Sequence, residues 1–121
     1  MAFLFMQAKI VKASSGRSAV AAAAYQAAQK LKDDSLGMTF QYRNKEEVVF
    51  SEILLPSHAP AAYADRETLW NAVQEKENRA NSQVARAFII AMPKEWTREE
   101  SISRAREFIQ KNLVDAGMVA D

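Results

Sequence analysis

The feature that most constrains this chain is an alanine-rich segment, residues 14–31, which the sequence predicts to be a helix. Alanine has the highest helix propensity, and neither glycine nor proline follows Gly16 within the segment. Apolar residues recur at helical spacing along one face: Val20, Ala23, Ala24, Ala27 and Leu31. Tyr25 lies off this face, among small residues that would leave its phenol exposed. The first question is therefore what this tyrosine contacts.

Length and composition indicate one globular domain. The 121 residues suffice for one hydrophobic core, and 49% of them are apolar and 26% charged. No apolar run approaches the roughly 18 residues of a membrane span, and the start of the chain lacks the features of a signal peptide. The absence of cysteine excludes disulfides and cysteine nucleophiles, and it fits the cytoplasmic location that we expect.

Charge is distributed unevenly, although the net charge is only +1. Residues 1–45 carry seven basic and two acidic side chains, whereas residues 46–121 carry nine basic and thirteen acidic ones, so the two parts have net charges of +5 and −4. The alanine-rich segment lies in the basic part, which favours a polyanionic partner such as a nucleic acid. Small proteins also show such asymmetry by chance.

The remaining pattern predicts alternating strands and helices. Strands are predicted at residues 3–11, 38–42 and 48–55, the last two as a hairpin, and from residue 84 or 87 to residue 92. Helices are predicted at residues 14–32, 66–82 and 97–117. Ser14 or Ser15 would cap the first helix, Asp65 the second, and a capping box of Thr97 and Glu100 the third. The order β–α–β–β–α–β–α is typical of an α+β fold, an antiparallel sheet with helices packed on it.

Few side chains indicate a chemistry on their own. His58 is the single histidine and lies in a loop, so a metal site built from imidazoles and a serine triad are both excluded. The basic loop 12–17 enters a helix N-terminus, whose amides suit a phosphate, as in many helices. Glu77 lies in the apolar stripe of the second predicted helix, where it would form a structural ion pair, help hold a cation or orient an active-site group. For Tyr25, packing with a hydrogen-bonded hydroxyl is the ordinary role.

A set of short motifs, which occur together in a fixed order, favours a functional role for Tyr25 over simple packing. They are Arg17–Tyr25, Ile53–Pro56, Ala59–Pro60, Asp65–Arg66, Leu69–Asn71, Glu77–Arg79, Ala85–Arg86 and Ala91–Pro93. In these motifs the chain resembles the N-terminal segment of the MobA/MobL family of plasmid mobilisation relaxases, which includes the TraA-type conjugative relaxases. The resemblance extends over residues 3–117 and identifies residues 1–121 as an incomplete, N-terminal part of a relaxase domain.

The resemblance implies an α+β relaxase of the HUH endonuclease superfamily, with a ferredoxin-like antiparallel palm. Such an enzyme nicks one DNA strand at a plasmid transfer origin and stays joined to the 5′ phosphate through a tyrosine. Tyr25 matches the tyrosine of the family's first helix and takes the role of the nucleophile. Lys9, Lys12 and Arg17 are assigned as contacts to DNA phosphates. Glu77 is assigned as a carboxylate that orients active-site groups without contacting the DNA itself.

Two departures from the family pattern limit this expectation. The family holds its divalent metal, Mg²⁺ or Mn²⁺, with histidines on a strand after the third helix, and we expect this chain to be truncated before that strand. No metal ligand is therefore assigned, and no metal is expected on residues 1–121 alone. The family commonly has an acidic residue after the Ala85–Arg86 pair, where this chain has Ala87, so metal-ligand orientation or proton removal would be weaker. We expect the isolated chain to be inactive.

The expected partners are single-stranded DNA at a transfer origin, other relaxosome proteins and a second copy of the chain, since an incomplete sheet would expose an edge. Two alternatives stay open. In one, the chain binds single-stranded DNA and performs no chemistry. In the other, the alanine-rich helix is an oligomerisation surface and Tyr25 merely packs.

Overall fold

The computed structural model describes residues 6–12, 18–42, 48–77 and 83–121. Its elements are β1 (Met6–Lys12), α1 (Ala19–Ala27), β2 (Lys30–Asp33), β3 (Met38–Gln41), a 3₁₀ turn (Ala61–Ala64), α2 (Arg66–Lys76), β4 (Gln83–Ile90), α3 (Arg98–Ile109) and a π-helical turn (Gln110–Val114). One antiparallel sheet joins β1 to β4, and the other joins β2 to β3. The predicted α+β class with antiparallel pairing is confirmed.

The alanine-rich helix begins later than predicted. Ser18 is its N-cap, because the Ser18 hydroxyl accepts a hydrogen bond from the backbone N–H of Ala21 at 3.0 Å. Ser14 and Ser15, the predicted caps, lie outside the described residues.

The same helix also ends earlier than predicted. Ala28 adopts the left-handed conformation, with φ +55°, and its N–H donates to the carbonyls of Ala24 and Tyr25. The chain then leaves the helix and forms β2, whose backbone groups pair with β3. Leu31 is buried as predicted, but it lies on this strand. The predicted extension of the helix to residue 32 is therefore wrong.

The hairpin of the second sheet also differs from the predicted one. The strand predicted at residues 38–42 is confirmed as β3, but its partner is β2 and not residues 48–55. Of residues 48–55, only Leu54 makes a β-bridge, to Ala120. Gly37, with φ +65°, lies in the turn that joins β2 to β3, a conformation that glycine adopts without strain. The predicted order of strands and helices is observed, but β2 and not residues 48–55 is the strand that pairs with β3.

The predicted caps of the other two helices are confirmed. Asp65 accepts a hydrogen bond from the backbone N–H of Thr68 at 3.0 Å, and Thr97 accepts one from that of Glu100 at 3.1 Å. The helix α2 ends sooner than predicted, because Glu77 is its C-cap and has non-helical dihedral angles. The last residues of its predicted span, 78–82, lie outside the described residues.

The core lies between α1, α2 and the β2–β3 hairpin. Val20 and Ala24 are fully buried, and Leu69 of α2 is buried nearby. The core cluster consists of Val20, Ala23, Ala24 and Leu31, with Phe40 and Trp70 packed against it. The buried face predicted for the alanine-rich segment is thus confirmed. The Arg66 guanidinium, itself buried, makes two contacts of 2.7 Å with the carboxylate of Asp121 and so fastens α2 to the end of the chain.

The β1–β4 sheet and α3 contribute little to this core. Ile10 is 51% exposed and Phe88 is 48% exposed. No residue of α3 is buried, so the apolar stripe predicted for that helix is only partly covered, with Phe108 exposed. Within the described ranges, none of the helices has the length and apolar character to cross a membrane.

Candidate active site

Tyr25 lies in the last turn of α1, away from the core cluster. Its side chain is 54% exposed, while Val20, Ala24 and Ala27 of the same helix are buried. The sequence prediction of an exposed phenol on a buried helix is therefore confirmed. The side chain of Tyr25 is therefore more than half exposed, while the backbone that carries it is held by packing.

A second tyrosine meets Tyr25. The ring centroids of Tyr25 and Tyr42 are 5.4 Å apart and their planes are inclined at 87°, an edge-to-face pair. Tyr42 directly follows β3, and its backbone N–H donates to the carbonyl of Gln29 at 3.3 Å. This contact was not predicted from the sequence, because a helix predicted to residue 32 leaves no place for the β2–β3 hairpin that brings Tyr42 back to α1.

The start of α1 is anchored by a buried carboxylate. Asp33 of β2 is 1% exposed and accepts hydrogen bonds from the hydroxyls of Ser18, at 2.5 Å, and Ser35, at 2.6 Å. Burial alone would raise the pKa of Asp33, but these hydrogen bonds lower it below its usual value. The first N–H of the helix, that of Ala19, donates to the side-chain carbonyl of Gln74 at 2.6 Å. Both contacts fix the helix that carries Tyr25.

The helix α2 also grips β2. Glu67 accepts a hydrogen bond from the backbone N–H of Lys32 at 2.6 Å. Asn71 accepts one from the N–H of Asp34 and donates one to the carbonyl of Lys32, each at 2.8 Å. Polar side chains of α2 therefore hold the strand through its backbone. The frame around Tyr25 consists of α1, α2 and the hairpin together.

Glu77 does not lie where its sequence pattern predicts. It is exposed at the C-cap of α2, and its backbone N–H donates to the carbonyl of Val73 at 2.9 Å. Within the described ranges Glu77 forms no ion pair, so the structural pair considered from its spacing is absent there. Its role as a supporting carboxylate stays a prediction.

The β1–β4 sheet carries basic and aromatic side chains. Lys9 and Lys12 are exposed on β1, and the register places Lys9 opposite Ala87 and Ile10 opposite Arg86. These two described strands contain no acidic residue. Arg17 lies outside the described residues. Arg86 was identified from the sequence only as part of a motif, and the register now places it beside Ile10, on the face of the sheet opposite to Lys9.

The sequence profile of the MobA/MobL family matches residues 17–121. This chain belongs to the MobA/MobL family. It is 38% identical over its whole length to the conjugal transfer protein TraA of Agrobacterium fabrum. It is 32% identical over 99% of its length to a probable mobilization protein MobA of Bifidobacterium longum, and 33% identical over its whole length to the mobilization protein MobL of Acidithiobacillus ferridurans. The chain spans 12%, 21% and 31% of the lengths of these three relatives.

A solved structure shares the fold of this MobA/MobL chain. That structure is described as the molecular basis of vancomycin resistance transfer in Staphylococcus aureus. The two chains are 42% identical with a TM-score of 0.91, and the match covers 98% of this chain and 60% of the other. The family and the fold expected from the motifs are therefore confirmed.

The motifs of the MobA/MobL family have structural roles that the sequence did not specify. Asp65 caps α2, while Arg66 pairs with Asp121. Trp70 donates its indole N–H to the same carboxylate at 2.8 Å, and Asn71 binds the backbone of β2. These motif residues of α2 thus stabilise the arrangement of α1, α2 and the hairpin, which positions Tyr25.

The residues that the structure describes do not offer a ligand set for a divalent cation. Across residues 6–12, 18–42, 48–77 and 83–121, no three histidine, cysteine, aspartate or glutamate side chains come together. His58 is exposed in its loop. The expected Mg²⁺ or Mn²⁺ stays a prediction.

Proposed function

We propose that this chain is part of a relaxase that nicks one DNA strand at a plasmid transfer origin, with Tyr25 as the nucleophile. Membership of the MobA/MobL family and the names of the relatives, which are conjugal transfer and mobilization proteins, support this role. The observation that carries the proposal is the exposed side chain of Tyr25 on a helix whose other face is buried and whose start is anchored by hydrogen bonds.

In the proposed reaction the phenolic oxygen of Tyr25 attacks the phosphorus of one phosphodiester. A bond forms between that oxygen and phosphorus, and the bond from phosphorus to the 3′ oxygen breaks. The phenolic proton passes to the departing 3′ oxygen, so the products are a free 3′ hydroxyl and DNA joined to Tyr25 through its 5′ phosphate. One phosphodiester replaces another, and the step can therefore be reversed to rejoin a strand.

The described residues contribute to that step by holding Tyr25 in position. The buried face of α1 and the contacts at Ser18 and Ala19 hold the backbone of the nucleophile, which lowers the entropy cost of reaching the attacking geometry. The proposal includes a longer protein, in which the chain continues through the strand expected to carry the metal-binding histidines. A divalent metal held there would stabilise the developing charge on the phosphate. The described residues do not form its site.

The β1–β4 sheet is the proposed approach for single-stranded DNA. Arg86 supplies positive charge on the same face as the half-exposed ring of Phe88, which offers a stacking surface for a base. Lys12 adds positive charge at the end of β1, and Lys9 adds it on the opposite face of the sheet. Arg17 stays a proposed phosphate contact. The transfer origin, relaxosome proteins and a cytoplasmic location belong to the same proposal, as does pairing with a second copy through a strand edge.

A second candidate function is binding of single-stranded DNA without chemistry by residues 1–121 alone. The basic and aromatic sheet favours it, because that surface does not depend on the phenol of Tyr25. Under this candidate the chain would retain DNA but never become joined to it.

The test compares residues 1–121 with the longer protein. Each is incubated with origin-containing single-stranded DNA and Mg²⁺ or Mn²⁺, and covalent adducts are resolved on denaturing gels. We expect an adduct with the longer protein that Tyr25→Phe abolishes and that Tyr63→Phe, the matched control in the 3₁₀ turn, leaves intact. An adduct that survives Tyr25→Phe would reject the nucleophile. Binding without an adduct by both proteins would favour the second candidate.

A further inference from the structure

We infer that Tyr42 is a positioning residue for Tyr25: its ring sets the direction in which the Tyr25 phenol points, and thereby the rate of the nucleophilic step. The contact between the two rings stands on its own geometry. Its consequence for a rate rests on the proposed function of Tyr25. Tyr42 has no role in bond making or breaking under this inference.

The ring pair has a preferred aromatic geometry. A centroid separation of 5.4 Å and an interplanar angle of 87° place the edge of one ring against the face of the other. The positive edge and the negative face of aromatic rings attract each other, so this arrangement favours one orientation of each ring over its alternatives. A flat aliphatic contact of the same area would not impose that preference.

The neighbours of Tyr25 on its own helix cannot impose the orientation. Residues three and four positions earlier face the same side of a helix, and here they are Ala22 and Ala21. Their methyl groups are too small to hold a phenol in one rotamer. The edge-to-face contact with Tyr42, which comes from another element, supplies a directional constraint that these methyl groups do not.

Tyr42 is itself held by the backbone of the hairpin. Its N–H donates to the carbonyl of Gln29 at 3.3 Å, and the N–H of Gln29 donates to the carbonyl of Ala24 at 3.0 Å. Tyr42 is thus linked to the end of α1 by two consecutive hydrogen bonds. Phe40, two residues earlier and so on the same side of the strand, packs against the core cluster. The hairpin therefore presents the Tyr42 ring to Tyr25 from a fixed base.

Orientation of this kind acts on rate more than on binding. A nucleophile that is misdirected by about 1 Å loses up to roughly a hundredfold in rate, while contacts between DNA and the rest of the protein persist. We expect Tyr42→Leu to slow single-turnover adduct formation by the longer protein roughly ten- to a hundredfold. Affinity for the same DNA, measured by fluorescence anisotropy, should stay unchanged. Tyr42→Phe keeps the ring and should restore the wild-type rate.

A structural readout separates this inference from the proposed function. In residues 1–121 with ring-labelled tyrosine, the resonances of Tyr25 are assigned by their loss in Tyr25→Phe. We expect Tyr42→Leu to shift them, because the ring current of the neighbour disappears, and Tyr42→Phe to leave them nearly in place. Tyr63→Leu is the control for loss of a tyrosine elsewhere. Tyr42→Met replaces Tyr42→Leu if the latter fails to fold by circular dichroism.

Each outcome has a defined meaning. If Tyr25→Phe abolishes the adduct but Tyr42→Leu keeps the wild-type rate, the inference is wrong and the proposed function stands. If Tyr42→Phe is as slow as Tyr42→Leu, the hydroxyl of Tyr42 acts and ring positioning is rejected. If the adduct survives Tyr25→Phe, the proposed function fails, and unshifted Tyr25 resonances in Tyr42→Leu would then overturn the ring contact as well.

Discussion

Two parts of this molecule are built in opposite ways. The first, formed by α1, α2 and the β2–β3 hairpin, buries an apolar cluster and ties its elements together with side chains such as Asp33 and Asn71. The second, the β1–β4 sheet, exposes Ile10 and Phe88 on one face and Ile89 on the other, and its two strands carry basic residues but no acidic ones. The first part therefore holds the backbone of Tyr25 in place, whereas the second presents basic and apolar side chains at the surface.

The largest expected effect tests the apolar side of this comparison. Leu31→Ala should lower the free energy of unfolding by about 3 kcal/mol, because Leu31 is 5% exposed and its removal leaves a cavity in the core cluster. The matched change in the sheet, Ile10→Ala, should cost less than about 1 kcal/mol because Ile10 is already half exposed. Urea unfolding of both variants measures the difference. Equal losses would mean that the sheet is buried in solution.

The next effect concerns the buried carboxylate. Asp33→Asn should lower stability at pH 7 by about 2 kcal/mol, since hydrogen bonds to a charged group are lost. The pKa of Asp33 is lowered in the folded state, so its contribution is fully present above the unfolded pKa and is lost as the pH falls through the folded value, below about 4.

Unfolding measured from pH 7 to pH 2 checks this sign. The gap between wild type and Asp33→Asn should narrow as the pH falls. Asp34→Asn, one residue along and exposed, is the control and should run parallel to wild type. A gap that widens in acid would contradict the assignment of Asp33 as a charged acceptor.

Several of these features were predictable from sequence, and the reason is that they are local. Helical spacing identifies the buried face with Val20 and Ala24, and short-range side-chain signals identify the caps Asp65 and Thr97. The hairpin strand β2 was not predictable, because the local preference for helix is overridden by pairing with β3.

The same limit applies to the candidate site. Tyr25 was identified because its position on the helix and the family motif point to one residue. Its neighbour Tyr42 lies 17 positions away, and the Ser18–Asp33 contact spans 15. No period or motif relates such residues, so only the folded chain brings them together.

The smallest expected effect concerns charge pairing across the β1–β4 sheet. Ala87→Glu would place a carboxylate opposite Lys9, the position where the family commonly has an acid, and should stabilise the sheet by about 0.5 kcal/mol. The gain should vanish in 1 M salt because the pair is exposed. Ala85→Glu, which lies opposite Val11, is the control and should give no such salt-dependent gain. A gain at both positions would show that the added negative charge acts on the sheet as a whole.

The left-handed conformation of Ala28 ends α1, and the backbone that follows pairs with β3. The length of the first helix therefore depends on whether this backbone bonds locally or to β3. The backbone from Lys30 onward can continue the helix through local hydrogen bonds, or it can pair with β3, as it does in the native fold. The second option requires residues 38–41, which are synthesised later. We therefore expect a nascent chain that stops before them to carry a longer helix, and Tyr25 to reach its final place in the last turn only when the hairpin closes.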